Sequence, residues 1–323
     1  MRVLVAGATG VVGTPLVPLL TSVGHHVIAL ARSADRAAGA RQAGAEVAVA
    51  DALDPPALAR AVQDAAPDAV VNMLTAIPPA PDPRRLARQF AATNRLRTEG
   101  TRNLYEAARA AGARRVIAQG LAYGYDPDGA GPADEDVPFW PRPARQFAPN
   151  LRALAELERL TGEAGGLVLR YGHLYGPGSG YAIGAAAAGA GDGAFTAQVR
   201  AGRVPLVGGG TAVFSFTHAH DAATAVVAAL DKPARGALNI VDDDPAPVRV
   251  WLPVFAGLLG ARPPKAVPAA LARLAVGGYG VDFLTRLRGA DNARAKLALD
   301  WRPRHASWRT GFEAEAAGSV ASA

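Results

Sequence analysis

Cysteine is absent from the 323-residue chain. That removes disulfides, thiolate nucleophiles, iron–sulfur clusters and Cys-ligated zinc together, and leaves the redox compartment open. Lysine is nearly absent: Lys232, Lys265 and Lys296 stand against 31 arginines. Aromatic residues make up only 6%. No apolar run reaches the roughly 20 residues that a membrane span requires; the most apolar late stretches, 182–191 and 266–281, are broken by Gly, Pro or Arg. Glycine and proline together number 61, below the share that marks a low-complexity chain.

What is present suits a folded protein. Half the residues are apolar and 19% are charged, which excludes disorder as the main state. The length fits one large or two smaller domains with a sizeable core. The net charge of +6 favours anionic ligands. The arginines are scattered without interleaved aromatics, so nucleic acid is not expected, whereas a phosphorylated cofactor is. The opening apolar run is too short for a signal peptide, and the expected location is the cytoplasm.

Short apolar runs alternate with helical patterns. Strands are expected at 3–6, 26–31, 46–50, 69–74, 115–118 and 167–171. Helices are expected at about 11–23, from Pro55 behind an Asp54 cap, at 83–111 and at 151–163. Continuous apolar strands separated by helices specify a doubly wound parallel sheet covered on both faces, a Rossmann α/β fold. After residue 172 the rhythm loosens. Residues 1–171 read as a dinucleotide-binding domain and 172–323 as a smaller α+β substrate lobe, with 212–241 partly returning to the first. The small-residue stretch Ala182–Ala194 reads as a cover over the substrate site.

Gly7, Thr9, Gly10, Val11, Val12 and Gly13 form the turn between the first strand and first helix. In that context the glycines allow a tight turn, close approach of a diphosphate, and close helix–strand packing. The helix N-terminus then faces the anion. Strand 2 ends on Arg32 and Ser33, with Arg36 one turn on. No carboxylate stands there to hold an NAD ribose, so NADP is expected over NAD. Asp51, with Ala52 and Leu53, is placed to reach the adenine, or to serve a turn. His218 and His220 share a strand-like spacing, but without further ligands no metal is expected; Asp221 beside them reads as a helix cap. Asp134–Asp136 and Asp242–Asp244 read as solvated acidic turns.

The chain resembles the extended short-chain dehydrogenase/reductase superfamily, of the NAD-dependent epimerase/dehydratase type. The resemblance rests on Gly7-x-x-Gly10-x-x-Gly13, Asp51, Asn94 with Glu99-Gly100-Thr101, Tyr123-Gly124, and Leu169-Arg170-Tyr171-Gly172-His173-Leu174-Tyr175-Gly176-Pro177-Gly178. Phe216-Thr217-His218-Ala219-His220-Asp221, Trp301-Arg302-Pro303 and Ser307-Trp308-Arg309 complete it. It implies cofactor contacts from Leu74, Thr75, Ala76, Asn94 and Tyr171, a small-molecule substrate and a homodimer.

That family's usual chemistry uses a Ser or Thr after strand 5 and a Tyr-x-x-x-Lys on the next helix, the tyrosine exchanging a proton as hydride moves. No lysine here has tyrosine four residues before it: the residues are Ala228, Ala261 and Asn292. Gln119 takes the serine position. One helix register puts Ala148 and Arg152 at the tyrosine and lysine positions; a two-residue shift puts Asn150 and Leu154 there. The candidates for a replacement set are Gln119, Tyr123, His173 and Arg152, the last also able to hold the nicotinamide ribose. Two functions stay open. One is an NAD(P)-dependent oxidoreductase, epimerase or dehydratase with its catalytic set replaced. The other is an NAD(P)-binding protein without hydride turnover: a non-redox isomerase or lyase, or a cofactor-sensing scaffold.

Overall fold

The computed structural model describes residues 1–184 and 191–321, with side chains to residue 318; residues 185–190 of the expected cover segment lie outside them. β1 (Arg2–Ala6), β2 (His26–Ala31), β3 (Glu46–Val49), β4 (Ala69–Asn72), β5 (Arg115–Leu121) and β6 (Leu167–Tyr171) arise where the apolar runs were read. Beyond them come the short strands β7 (His173–Tyr175), β8 (Leu206–Val207), β9 (Val213–Phe214) and β10 (Phe216–His218). β11 (Gly236–Ile240) then returns to the main sheet, and β12 (Ala246–Pro247) and β13 (Ala266–Val267) follow.

The main sheet has the order β11-β6-β5-β4-β1-β2-β3 and is parallel throughout. The chain thus moves outward in both directions from β1 and β4. The crevice at this reversal, beyond the strand carboxyl ends, is where such sheets bind ligands. β1 and β4 are buried on both faces, which explains their unbroken apolar sequence. On one face Leu16, Val17 and Leu20 of the first helix meet Ala222, Val226 and Ala229 of helix Ala219–Asp231. On the other, Leu58 and Val62 pack with Leu104 and Ala108. Asp54 caps its helix, its carboxylate accepting from the Ala57 amide at 3.1 Å.

The expected single helix over 83–111 is instead broken. It runs as Leu86–Gln89, Ala91–Arg95, a π-helical turn Leu96–Gly100, and Thr101–Ala110. The π turn is tied to the sheet through Thr101. Its hydroxyl donates to the Leu96 carbonyl at 3.2 Å and accepts from the buried Asn72 amide at 3.0 Å. A widened turn of this kind re-aims the side chains within it. Arg95 and Glu99 pair on the outside, while Arg97 is buried.

Only Phe90 and Tyr105 among the aromatic residues precede residue 121. The others build mainly the second core, where Trp251, Trp308, Phe214, Phe216 and Phe312 are each at most 1% exposed. The acidic turns are not uniformly solvated. Glu135 and Asp242 are buried, and burial raises both carboxyl pKa values. Glu135 accepts from the Asn239 amide at 2.7 Å, and Asp242 from the Phe216 amide at 3.4 Å.

Candidate active site

The turn after β1 forms a cradle that side chains would fill. Gly7 has φ +99°, and a Cβ there would lie 2.6 Å from the Met73 carbonyl oxygen. At Gly13 a Cβ would lie 2.3 Å from the Gly7 carbonyl oxygen. The amides of Val11, Val12 and Gly13 find no acceptor among the described residues, so three donors are left free at a helix N-terminus. Gly7, Thr9 and Gly10 line a cavity of about 330 Å³ together with Arg32, Arg36, Asp51, Ala52, Leu53, Leu74, Thr75 and Ala76. Its bare backbone, free amides and exposed arginines fit a nicotinamide dinucleotide. Val11, Val12 and Ser33 adjoin residues of this wall. A wider groove of about 470 Å³ between β3 and helix Pro55–Ala65 carries none of these strand-end residues.

Arg32 and Arg36 are exposed at the cavity rim and have no carboxylate partner among the described residues. Asp51 accepts from the Leu53 amide at 2.9 Å, so it shapes the turn as well as lining the cavity. The Ala76 amide donates to Thr93 at 3.1 Å, fixing the opposite wall.

Beyond the cradle, Tyr123 after β5 stacks on His173 of β7 with ring centroids 4.5 Å apart. His173 stacks in turn on Phe214 at 3.8 Å, with Phe283 edge-on at 5.3 Å. Burial lowers the His173 pKa to about 3. The imidazole is therefore neutral near pH 7. Burial raises the Tyr123 pKa, an effect opposed by the Arg97 charge. Gln119 is partly buried, and its side chain has no bonding partner among the described residues.

The two registers of the helix Ala148–Glu163 differ in burial. Asn150 and Leu154 are 2% and 0% exposed and face inward. Ala148 is part-exposed and Arg152 exposed. Of the two registers, Asn150 with Leu154 lies on the buried face of the helix, and Arg152 lies on its exposed face. Asn94, part-exposed, donates to Asn150 at 2.9 Å and so joins the inward face of this helix. Tyr171 is 1% exposed in the core behind the sheet, its hydroxyl 3.5 Å from the Ala222 carbonyl. That position removes it from the expected cofactor contacts.

His218, Asp221 and His305 bring one ligand atom each within 4.8 Å of one another. Their protein contacts already engage them. Asp221 accepts from the Arg304 and His305 amides at 3.0 and 2.9 Å, and His305 Nδ1 lies 3.0 Å from the same carboxylate. His218 meets Glu315 at 3.1 Å. The cap of the helix is His218, whose ring accepts from the His220 amide at 3.2 Å, rather than Asp221. Asp221 instead fastens the C-terminal segment.

Sequence reasoning missed Arg97. It is 3% exposed, lies within electrostatic range of Tyr123, and its Nη1 has no partner. Its only sequence signal was an arginine between Leu96 and Thr98 on a face whose phase the π turn then changed.

A family model for the NAD dependent epimerase/dehydratase family matches residues 3–241. The chain belongs to this family. A Streptomyces protein named 3-diazoavenalumate denitrifying reductase is 50% identical over 98% of this chain and 100% of its own length. UDP-glucose 4-epimerase of Thermotoga maritima, solved with UDP-glucose, shares 20% identity over 98% of each chain at TM-score 0.77. The Thermus thermophilus UDP-glucose 4-epimerase complex with NAD shares 22% identity over 99% of each chain at TM-score 0.72. These two likenesses establish the fold. The epimerase/dehydratase membership and the reductase relative make the chain an enzyme of the NAD(P)-dependent oxidoreductase/epimerase class, which sets aside the scaffold reading. No helix among the described residues is long and apolar enough to cross a membrane.

Proposed function

We propose that this epimerase/dehydratase family member is an NADPH-dependent reductase that replaces the diazo group of an aromatic carboxylate by hydrogen and releases dinitrogen. The carrying observation is that the helix Ala148–Glu163 holds no Tyr–Lys pair, its inward positions being Asn150 and Leu154, and that His173 is neutral. Ketone reduction or sugar epimerisation requires proton exchange at oxygen. Reductive loss of dinitrogen does not. In net terms a diazonium carbon gains a hydride, its C–N bond breaks, the bonding pair leaves with N2, and no proton is exchanged. The 50% identity to a reductase whose name denotes a diazo carboxylate supports this reading.

A bound reduced nicotinamide supplies the hydride. The chain's part is to bind and to exclude water. The free amides after Gly10 take the diphosphate, and Arg32 and Arg36 take a 2′-phosphate, which favours NADPH over NADH. Thr9, Ser33, Asp51 to Leu53, Leu74 to Ala76 and Asn94 complete the cofactor wall. Tyr123, stacked on His173, presents a ring face beside the strand ends, and Gln119 offers an amide there. An aromatic wall excludes water, which would otherwise attack a diazonium carbon.

The test is to mix the protein with NADPH and freshly diazotised 3-aminocinnamate. NADPH oxidation should match N2 release, and deuterium from 4-deuterated NADPH should appear on the ring carbon. Oxidation without N2, or product lacking deuterium in both label configurations, overturns the proposal.

A further inference from the structure

Two arginines near the strand ends are buried, and the protein treats them oppositely. Arg170, 8% exposed, is gripped by both Glu158 oxygens at 2.8 and 2.6 Å. It also donates to Tyr125 and to the Glu135 carbonyl. Every side of that charge is answered. Arg97 is more buried, at 3%, yet no carboxylate, carbonyl or hydroxyl among the described residues bonds its guanidinium. Burial lowers its pKa only to about 10, so it stays charged near neutral pH. An uncompensated buried charge is strongly unfavourable. Among the described residues the chain answers Arg170 on every side and leaves the Arg97 charge unanswered.

The surroundings describe the rest of that anion. Arg97 and Tyr123 lie within electrostatic range of each other, and so does Tyr123 with Tyr181 and Tyr279. None of these three hydroxyls has a hydrogen-bond partner among the described residues. The rings of Tyr123 and Phe283 meet edge-on at 6.3 Å, and His173 lies against Tyr123. The result is a cationic end, a set of free phenol donors and flat apolar walls.

We infer that Arg97 is the anion-binding end of the substrate site and takes the carboxylate of an aromatic acid lying among Tyr123, Tyr181 and Tyr279. This rests on the reductase reading for the identity of the reacting group, but not for the binding itself. A guanidinium matches a carboxylate with two parallel hydrogen bonds. The same charge repels a diazonium, so the two ends of a diazo acid are sorted: the carboxylate goes to Arg97 and the diazo end away from it. Arg97 is thereby a specificity-determining residue.

The test uses the full chain saturated with NADP⁺ and titrated calorimetrically with cinnamate and with methyl cinnamate. Cinnamate should bind the wild-type protein more tightly than its ester. Arg97→Gln should weaken cinnamate by about 10- to 100-fold, the range for losing a charge-assisted hydrogen bond, and leave the ester unchanged. Arg97→Lys should recover part of the loss. Without ligand, Arg97→Gln should melt no lower than wild type, because an unanswered charge has been removed; a structural arginine would give the opposite. Equal binding of acid and ester, an unchanged cinnamate affinity in Arg97→Gln, or a loss of NADP⁺ affinity in the absence of cinnamate overturns the inference. If cinnamate binds as expected but no diazo compound is reduced, the anion site stands and the diazo chemistry falls.

Discussion

Two glycines of one turn should fail in different ways. At Gly10 an added Cβ meets only the Gly7 carbonyl oxygen, at 3.3 Å, and otherwise projects into the cavity. Gly10→Ala should therefore fold almost normally, with its midpoint within roughly 2 °C of wild type, the shift for about 0.5 kcal/mol. The methyl stands where the diphosphate approaches the backbone. Forcing it against a ligand costs about 1–3 kcal/mol by analogy with an overpacked core, which weakens NADP⁺ roughly 5- to 150-fold. At Gly13 the Cβ would lie 2.3 Å from the Gly7 oxygen and 2.6 Å from the Ala8 carbonyl carbon. Those atoms cannot retreat, because the Gly7 carbonyl accepts from Gly10 at 3.0 Å. Gly13→Ala should lose on the order of 2–3 kcal/mol before any ligand is added, a drop of roughly 5–10 °C. Thermal melts without ligand, followed by calorimetry with NADP⁺, separate the cases. A Gly10→Ala protein with wild-type NADP⁺ affinity would refute the cradle as the diphosphate site. A Gly13→Ala protein that melts like wild type would refute the packing argument.

Arg32→Ala should weaken NADP⁺ by about 1.5–3 kcal/mol, the range for a hydrogen bond to a charged group, and leave NAD⁺ nearly unchanged in the same titration; equal losses would show that Arg32 does not read the 2′-phosphate. His173 should make the fold acid-sensitive. Its folded pKa of about 3 lies below the unfolded value near 6.5, so the unfolded chain binds the extra proton first. The stability held above about pH 6.5 is lost as pH falls towards 3, by about 1.4 kcal/mol per unit. His173→Phe should flatten that decline in denaturant titrations at pH 7 and 4.5, and an unchanged slope would contradict the buried neutral imidazole.

The sheet was legible because parallel strands buried on both faces need unbroken apolar runs, as in Val3–Ala6 and Ala69–Asn72, and because a glycine turn opening a helix has few other uses. The second core was not. β8 and β9 are two residues each, and they exist because Ala266 and Ala246 come alongside from far along the chain. The helix at 148–163 showed its periodicity but not its phase, so Ala148 with Arg152 and Asn150 with Leu154 read alike until burial separated them. Arg97 was hidden by composition: one arginine among 31 on a helix reads as solvated, and only the π turn anchored by Thr101 and Asn72 carries it inside.

β11 pairs with β6 along five residues, from Gly236 against Leu167 to Ile240 against Tyr171. The seven-stranded sheet is therefore not finished when β6 leaves the ribosome; its outer edge stays bare until everything between Gly172 and Arg235 has been made. A chimera joined once after Tyr171 would inherit a foreign edge strand along with the rest of the foreign chain. Exchanging specificity between relatives of this architecture calls for two junctions, one on each side of β11, so that the native edge is carried across intact.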